Sequence, residues 1–201
     1  MFTLNDEVLR AQRCYRTLLE ALSKPGSVVR LDLPTGGKIF VEGVPRPLAL
    51  ACECLVDEKV TIAGLKERGR HWAREIAKLL RVRMVAPDMA DFVLTGADIT
   101  AGDMSSLKNG SLLAPEEGAT LFVYVEELIS GDFGVLSMEG PGVRGKVELA
   151  VSEAVLKWAW ERKNVCLEYP MGFEAFLFDS EGNVVGIPRS CSVDVSGPKG
   201  G

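Results

Sequence analysis

Histidine is nearly absent from the chain: His71 is the single one in 201 residues. Any Ser–His or Cys–His nucleophilic pair would have to use it, no second histidine is available to a zinc cluster, and no nucleophile-elbow sequence accompanies it. Long apolar runs are missing too. The most apolar helix candidate, residues 47–56, is short and carries Glu53, whereas a spanning helix needs roughly 20 apolar residues. Positive charge is not in excess: 23 Lys and Arg against 28 Asp and Glu leave a net charge of -5, which argues against general nucleic-acid or anionic-membrane binding. Cysteine is sparse and odd in number. Cys14, Cys52, Cys54, Cys166 and Cys191 are scattered, as expected of small buried side chains in a reducing compartment and not of a disulfide framework. Cys52 and Cys54, two apart on an expected helix, face different sides, so no metal site is expected. The first seven residues lack the basic start and apolar centre of a secretory signal, and the chain is expected to be cytoplasmic.

What is present is an ordinary globular balance, 47% hydrophobic and 25% charged residues, in a length that favours one domain. Residues 1–196 are expected to form a single α/β domain and 197–201 a flexible tail. Val8, Ala11, Tyr15, Leu18 and Leu22 recur at steps of three and four, the spacing of one helical stripe that Asn5 or Asp6 can cap and Pro25-Gly26 ends. A strand over 28–33 closes in a turn at 34–37. Helices are expected at 47–56 and 69–81, the second with Trp72, Ile76, Leu79 and Leu80 inward, and a helical turn at 103–108. Strands are expected at 59–63, 82–85, 92–95, 119–126 and 135–138. The stripe Val147, Val151, Ala154, Val155 and Trp158 predicts a helix over 147–163, with Glu153 and Lys157 spaced for an ion pair. A hairpin over 173–187, turning at 179–183, and an alternating strand from Cys191 finish the chain. This order predicts a three-layer α/β domain with a mixed sheet, antiparallel at its late end.

The densest candidate for anion binding is Gly140-Pro141-Gly142-Val143-Arg144-Gly145, a G-x-G-x-x-G between an expected strand and an expected helix. Such a turn lets backbone N–H groups approach an anion, the helix N-terminus adds positive character, and Arg144 and Lys146 stand beside it. Glu168 lies near the separation of a ribose contact, but the motif comes late in the chain and Pro141 removes a donor, so a ligand-free glycine corner is the alternative. In Ile187-Pro188-Arg189-Ser190 the proline bends the chain and presents Arg189, which can grip a phosphate or phosphonate bidentately or be ion-paired or solvated. Gly140, Gly142, Arg144 and Arg189 are therefore the candidate anion-site residues. Between Lys66 and Arg83 seven basic side chains face Glu67 and Glu75, a helix that can meet an acidic partner or simply be solvated. Glu116-Glu117 and Glu126-Glu127 are adjacent carboxylates that point apart, so no general acid or base is nominated.

Five stretches carry a resemblance, in order along the chain: Leu18-Leu19-Glu20-Ala21-Leu22-Ser23-Lys24-Pro25-Gly26, Gly110-Ser111-Leu112-Leu113-Ala114-Pro115-Glu116-Glu117-Gly118-Ala119-Thr120, Gly140-Pro141-Gly142-Val143, Tyr169-Pro170-Met171-Gly172-Phe173-Glu174 and Ile187-Pro188-Arg189-Ser190. Together they resemble the H subunit of the bacterial carbon–phosphorus lyase core complex, the PhnH family. The family pattern usually has Asp where Glu174 stands and Thr where Ser190 stands, and Gly145 lies outside it. The resemblance implies a fold similar to the large domain of pyridoxal-phosphate-dependent transferases, in a homodimeric member that binds no such cofactor. It implies action with the other core subunits in phosphonate use, where ATP and an alkylphosphonate give ribose 1-alkylphosphonate 5-triphosphate and the bond chemistry is credited mainly to another subunit. A non-catalytic assembly or substrate-organising role is then expected. Two other readings stand beside it: an autonomous enzyme using the glycine-rich turn on a phosphorylated metabolite, and a vestigial pyridoxal enzyme with a Schiff-base lysine.

Overall fold

A computed structural model describes residues 4–33, 41–165 and 169–197, with side chains from Val8 onward. The turn expected at 34–37, Cys166, Glu168 and the tail from 198 lie outside the described residues, as do the side chains of Asn5 and Asp6. In chain order the elements are α1 (Leu4–Ser23), β1 (Val29–Arg30), α2 (Arg46–Leu55), β2 (Thr61–Gly64), α3 (Lys66–Leu80), β3 (Arg83–Met84), β4 (Phe92–Gly96), α4 (Ala101–Ser105), β5 (Thr120–Tyr124), β6 (Gly134–Glu139), β7 (Lys146–Val151), α5 (Glu153–Lys163), β8 (Glu174–Phe178), β9 (Asn183–Ile187) and β10 (Ser192–Ser196).

Seven strands form one mixed sheet in the order β1-β9-β8-β5-β4-β2-β3. The run from β8 to β3 is parallel, while β9 pairs antiparallel to β8 and β1 antiparallel to β9, as the late hairpin predicts. Successive residues of the central strands face opposite sides. Leu121, Val123, Ala175 and Leu177 point one way and Phe122, Tyr124, Phe176 and Phe178 the other, the alternation of strands buried on both faces. Helices α1, α2 and α3 cover the phenylalanine side through Cys14, Leu18, Leu48, Trp72 and Ile76. The other side is covered by α5 together with a second, antiparallel sheet, β10-β6-β7, which contribute Trp158, Leu136, Val151 and Val193. The expected three layers and mixed sheet are present, with the small sheet as an additional part of the third layer.

Three expected elements differ. Residues 146–151 form a strand, not the start of the 147–163 helix, and only α5 from Glu153 is helical. Val147, Leu149 and Val151 turn inward while Lys146, Glu148 and Ala150 stay exposed, a period of two that the helical spacing of Val147, Val151, Ala154 and Val155 masked. In α1 the inward stripe is Cys14, Leu18 and Ala21, whereas Val8 and Tyr15 are 61% and 52% exposed. The reason is close approach: a Cβ on Gly186 of β9 would lie 2.5 Å from the Ala21 backbone, so the helix docks through its small side chains. In α3, Trp72 and Ile76 are inward as expected but Leu79 is exposed.

Candidate functional site

Arg189 stands on the connection from β9 to β10. Its Nε donates to Glu174 Oε1 at 2.6 Å, its backbone N–H donates to Glu174 Oε2 at 2.8 Å, and its Nη1 donates to the Pro115 carbonyl. Both side chains are about four-fifths buried, at 18% and 21% exposure, so solvent screens this pair less than a surface ion pair. One arginine thereby ties the first residue of β8 to the loop before β5 and to the start of β10. The Gly172 N–H donates to the Asn109 carbonyl at 2.8 Å, and Gly118 packs against the Gly172 carbonyl.

The glycine-rich segment joins the same junction. A Cβ on Gly140 would meet the Ser190 carbonyl at 2.8 Å, and one on Gly142, which has φ +86°, would meet the Ser23 carbonyl at 2.7 Å. The Cys191 thiol points at the Pro141 carbonyl at 3.9 Å. All five stretches that carried the resemblance, distant in sequence, therefore pack around one place. Behind it lies Arg162 of α5, only 8% exposed, its guanidinium 5.0 Å from the centre of the Phe173 ring. Its Nε has no hydrogen-bond partner among the described residues. Burial lowers the Arg162 pKa, and the Glu174 carboxylate works against that shift.

These positions correct the context expected for the candidate anion residues. Gly140, Gly142 and Arg144 lie in the hairpin loop between β6 and β7, where Glu139 pairs with Lys146; no helix N-terminus follows the loop. Its positive φ values turn the chain between two strands. The Arg189 Nε and Nη1 are engaged by Glu174 and the Pro115 carbonyl, and Arg144 is exposed on the hairpin. The structure thus brings Gly140 against the segment just after Arg189, holds Gly142 to the end of α1, and leaves Arg144 facing solvent.

A second constellation was not anticipated from sequence. Beyond the C-terminal end of β5, where open parallel sheets commonly bind ligands, a cleft is lined by Pro45, Arg68, His71, Trp72, Tyr124 and Glu126. The Tyr124 hydroxyl donates to Glu126 Oε2 at 3.2 Å, and Arg68 Nη2 donates to Glu126 Oε1 at 3.3 Å. Arg68 also lies 5.2 Å over the Trp72 ring. Burial, then the Glu126 charge and its hydrogen bond, push the Tyr124 pKa up to about 12, so this hydroxyl is a donor at neutral pH and not a base. Arg68 and His71 supply cationic and hydrogen-bonding capacity on the rim. The sequence shows both only as members of a basic helix, because Glu126 comes from a different element 58 residues on.

Among the described residues no group of three or more His, Cys, Asp or Glu side chains is arranged to hold a metal ion, and no helix is long and apolar enough to cross a membrane. No curated protein matches the chain. A family model described as bacterial phosphonate metabolism protein (PhnH) matches residues 3–194.

Proposed function

We propose that this chain, which belongs to the PhnH family of bacterial phosphonate metabolism proteins, serves phosphonate breakdown as an assembly subunit and not as a free-standing catalyst. The observation that carries the reading is the tip of the 110–118 loop. Leu112 and Leu113 are 67% and 98% exposed there, on a loop whose base is held by the Arg189 contact to Pro115 and whose turn is closed by Ser111. Burying a leucine side chain is worth about 1.5–3 kcal/mol, so two adjacent ones on an anchored loop mark a surface that a partner covers. The outward face of α1 adds Val8, Tyr15 and Leu19.

In this reading the partners are a second copy of the chain and the other carbon–phosphorus lyase core subunits, and the assembly makes ribose 1-alkylphosphonate 5-triphosphate from ATP and an alkylphosphonate. Likeness to the large domain of pyridoxal-phosphate-dependent transferases, without the cofactor, belongs to the same proposal. The anion contact assigned to Gly140, Gly142, Arg144 and Arg189 narrows to Arg144, the member whose charge faces solvent. Titrating the chain, alone and in the assembly, with ATP and with methylphosphonate tests it: Arg144→Ala weakens binding if the contact exists. The whole reading is tested by co-expressing the tagged chain with the companion subunits. A stable complex with core subunits supports it, and adenine released from ATP plus an alkylphosphonate by the lone purified chain overturns it.

A further inference from the structure

Helices α1 and α2 pack antiparallel, with residues 10, 11 and 14 of one against 53, 54 and 50 of the other. Arg10 Nη2 lies 3.1 Å from Glu53 Oε1, the Cys54 thiol points at the Ala11 carbonyl at 3.4 Å, and the Cys14 thiol at the Leu50 carbonyl at 3.8 Å. These contacts bring together two cysteines that sequence spacing gave no reason to pair: the Cys54 thiol lies against a carbonyl three residues before Cys14, and the Cys14 thiol against one four residues before Cys54. Cys54 is half-buried and open to small solutes, whereas Cys14 is 4% exposed behind it. We propose that Cys14 and Cys54 form an oxidisable dithiol, a modification site that a hydroperoxide converts into a disulfide joining α1 to α2.

Once Cys54 ionises the Cys14 thiol can donate to it, which holds Cys54 below its ordinary range although burial and Glu53 oppose this; the same interaction, with burial, pushes Cys14 up. Cys54 is then the attacking thiolate. Its sulfur takes the terminal oxygen of the hydroperoxide, the O–O bond breaks, and the alkoxide or hydroxide leaves and is protonated, giving a sulfenic acid. The Cys14 sulfur attacks the Cys54 sulfur, the S–O bond breaks, and hydroxide departs as water with the Cys14 proton. Two thiols lose two electrons and one peroxide bond gains them. Cys52 and Cys191 differ from this pair: Cys52 is wholly buried, with its pKa raised by that burial, and Cys191 is buried against the Pro141 carbonyl.

The test treats the full chain with about one molar equivalent of hydrogen peroxide, blocks remaining thiols with iodoacetamide, and maps peptides by mass spectrometry without reduction. The expected product is a peptide pair joined through Cys14 and Cys54, lighter by two hydrogens and released by dithiothreitol. Cys54→Ala removes the cross-link and leaves Cys14 to be blocked only on unfolding. Cys14→Ala, if it folds, leaves a Cys54 sulfenic acid that dimedone traps. The proposal is overturned if Cys54 advances to sulfinic acid while Cys14 stays reduced, if the cross-link runs to Cys166 or between chains, or if Cys54 does not react in the folded protein.

Discussion

Arg189 and Asp91 illustrate how single residues hold this molecule. Truncating Arg189 leaves the Glu174 carboxylate four-fifths buried without its cation and frees the Pro115 carbonyl. Arg189→Ala is therefore expected to lower the free energy of unfolding by about 3 kcal/mol. Urea denaturation checks this; a loss below about 0.5 kcal/mol, the range of ordinary surface substitutions, would mean the arginine does not latch the junction. Asp91 joins the starts of β2 and β4, accepting from the Thr61 N–H at 2.9 Å and from Lys108 Nζ at 2.8 Å. Burial alone would raise its pKa, but the hydrogen bonds from Lys108 and Thr61 outweigh it and hold the folded value below the ordinary one. A depressed folded pKa contributes stability that is present above the unfolded value, about 3.9, and is lost as pH falls through the folded one. Asp91→Asn should accordingly melt earlier than the parent at neutral pH, and the gap should close on acidification below about pH 4. A gap that stayed constant with pH would refute the assignment.

At the scale of elements, close approach decides more than hydrophobicity. The α1 helix rests on β9 where Gly186 offers no side chain, and the atom a Cβ would meet there is backbone, which cannot swing aside. Gly186→Ala is expected to lift α1, reduce stability by about 2 kcal/mol and shorten the hydrogen-exchange protection of α1 amides; an unchanged denaturation midpoint would show that α1 docks otherwise. On the same side of the sheet Phe122 touches Phe92, Phe176 and Phe178, with ring centres 5.5–5.8 Å apart. Phe122→Ala empties the centre of that layer and should remove about 3–5 kcal/mol, read from thermal unfolding.

For the whole molecule the question is which surface is unfinished. The basic helix α3 is partly answered from within, since Lys66 meets Asp103 at 2.7 Å and Arg68 meets Glu126 at 3.3 Å. The exposed leucines of the 110–118 loop have no such partner among the described residues. Leu112→Asp combined with Leu113→Asp is expected to leave unfolding of the isolated chain within about 0.5 kcal/mol of the parent. The same variant should lose co-purification with the companion subunits. Undiminished assembly would move the interface elsewhere, with the outward face of α1 as the next surface to probe.

The amino-acid order alone determined the local elements and their class. Apolar residues spaced for α2 and α3, β-rich runs at β4, β5 and β8, and the Asp179–Asn183 turn are interactions within a few residues, and their alternation implies a mixed sheet between layers. It also carried the family resemblance, because short motifs are legible one at a time. Only the tertiary structure decided which face of α1 turns inward, that 146–151 is a strand, that Cys54 of α2 lies against the turn of α1 that carries Cys14, and that Arg189 meets the Glu174 carboxylate. Each depends on packing or register between distant segments, such as the 74 residues separating Arg189 from Pro115, and local spacing does not encode those distances.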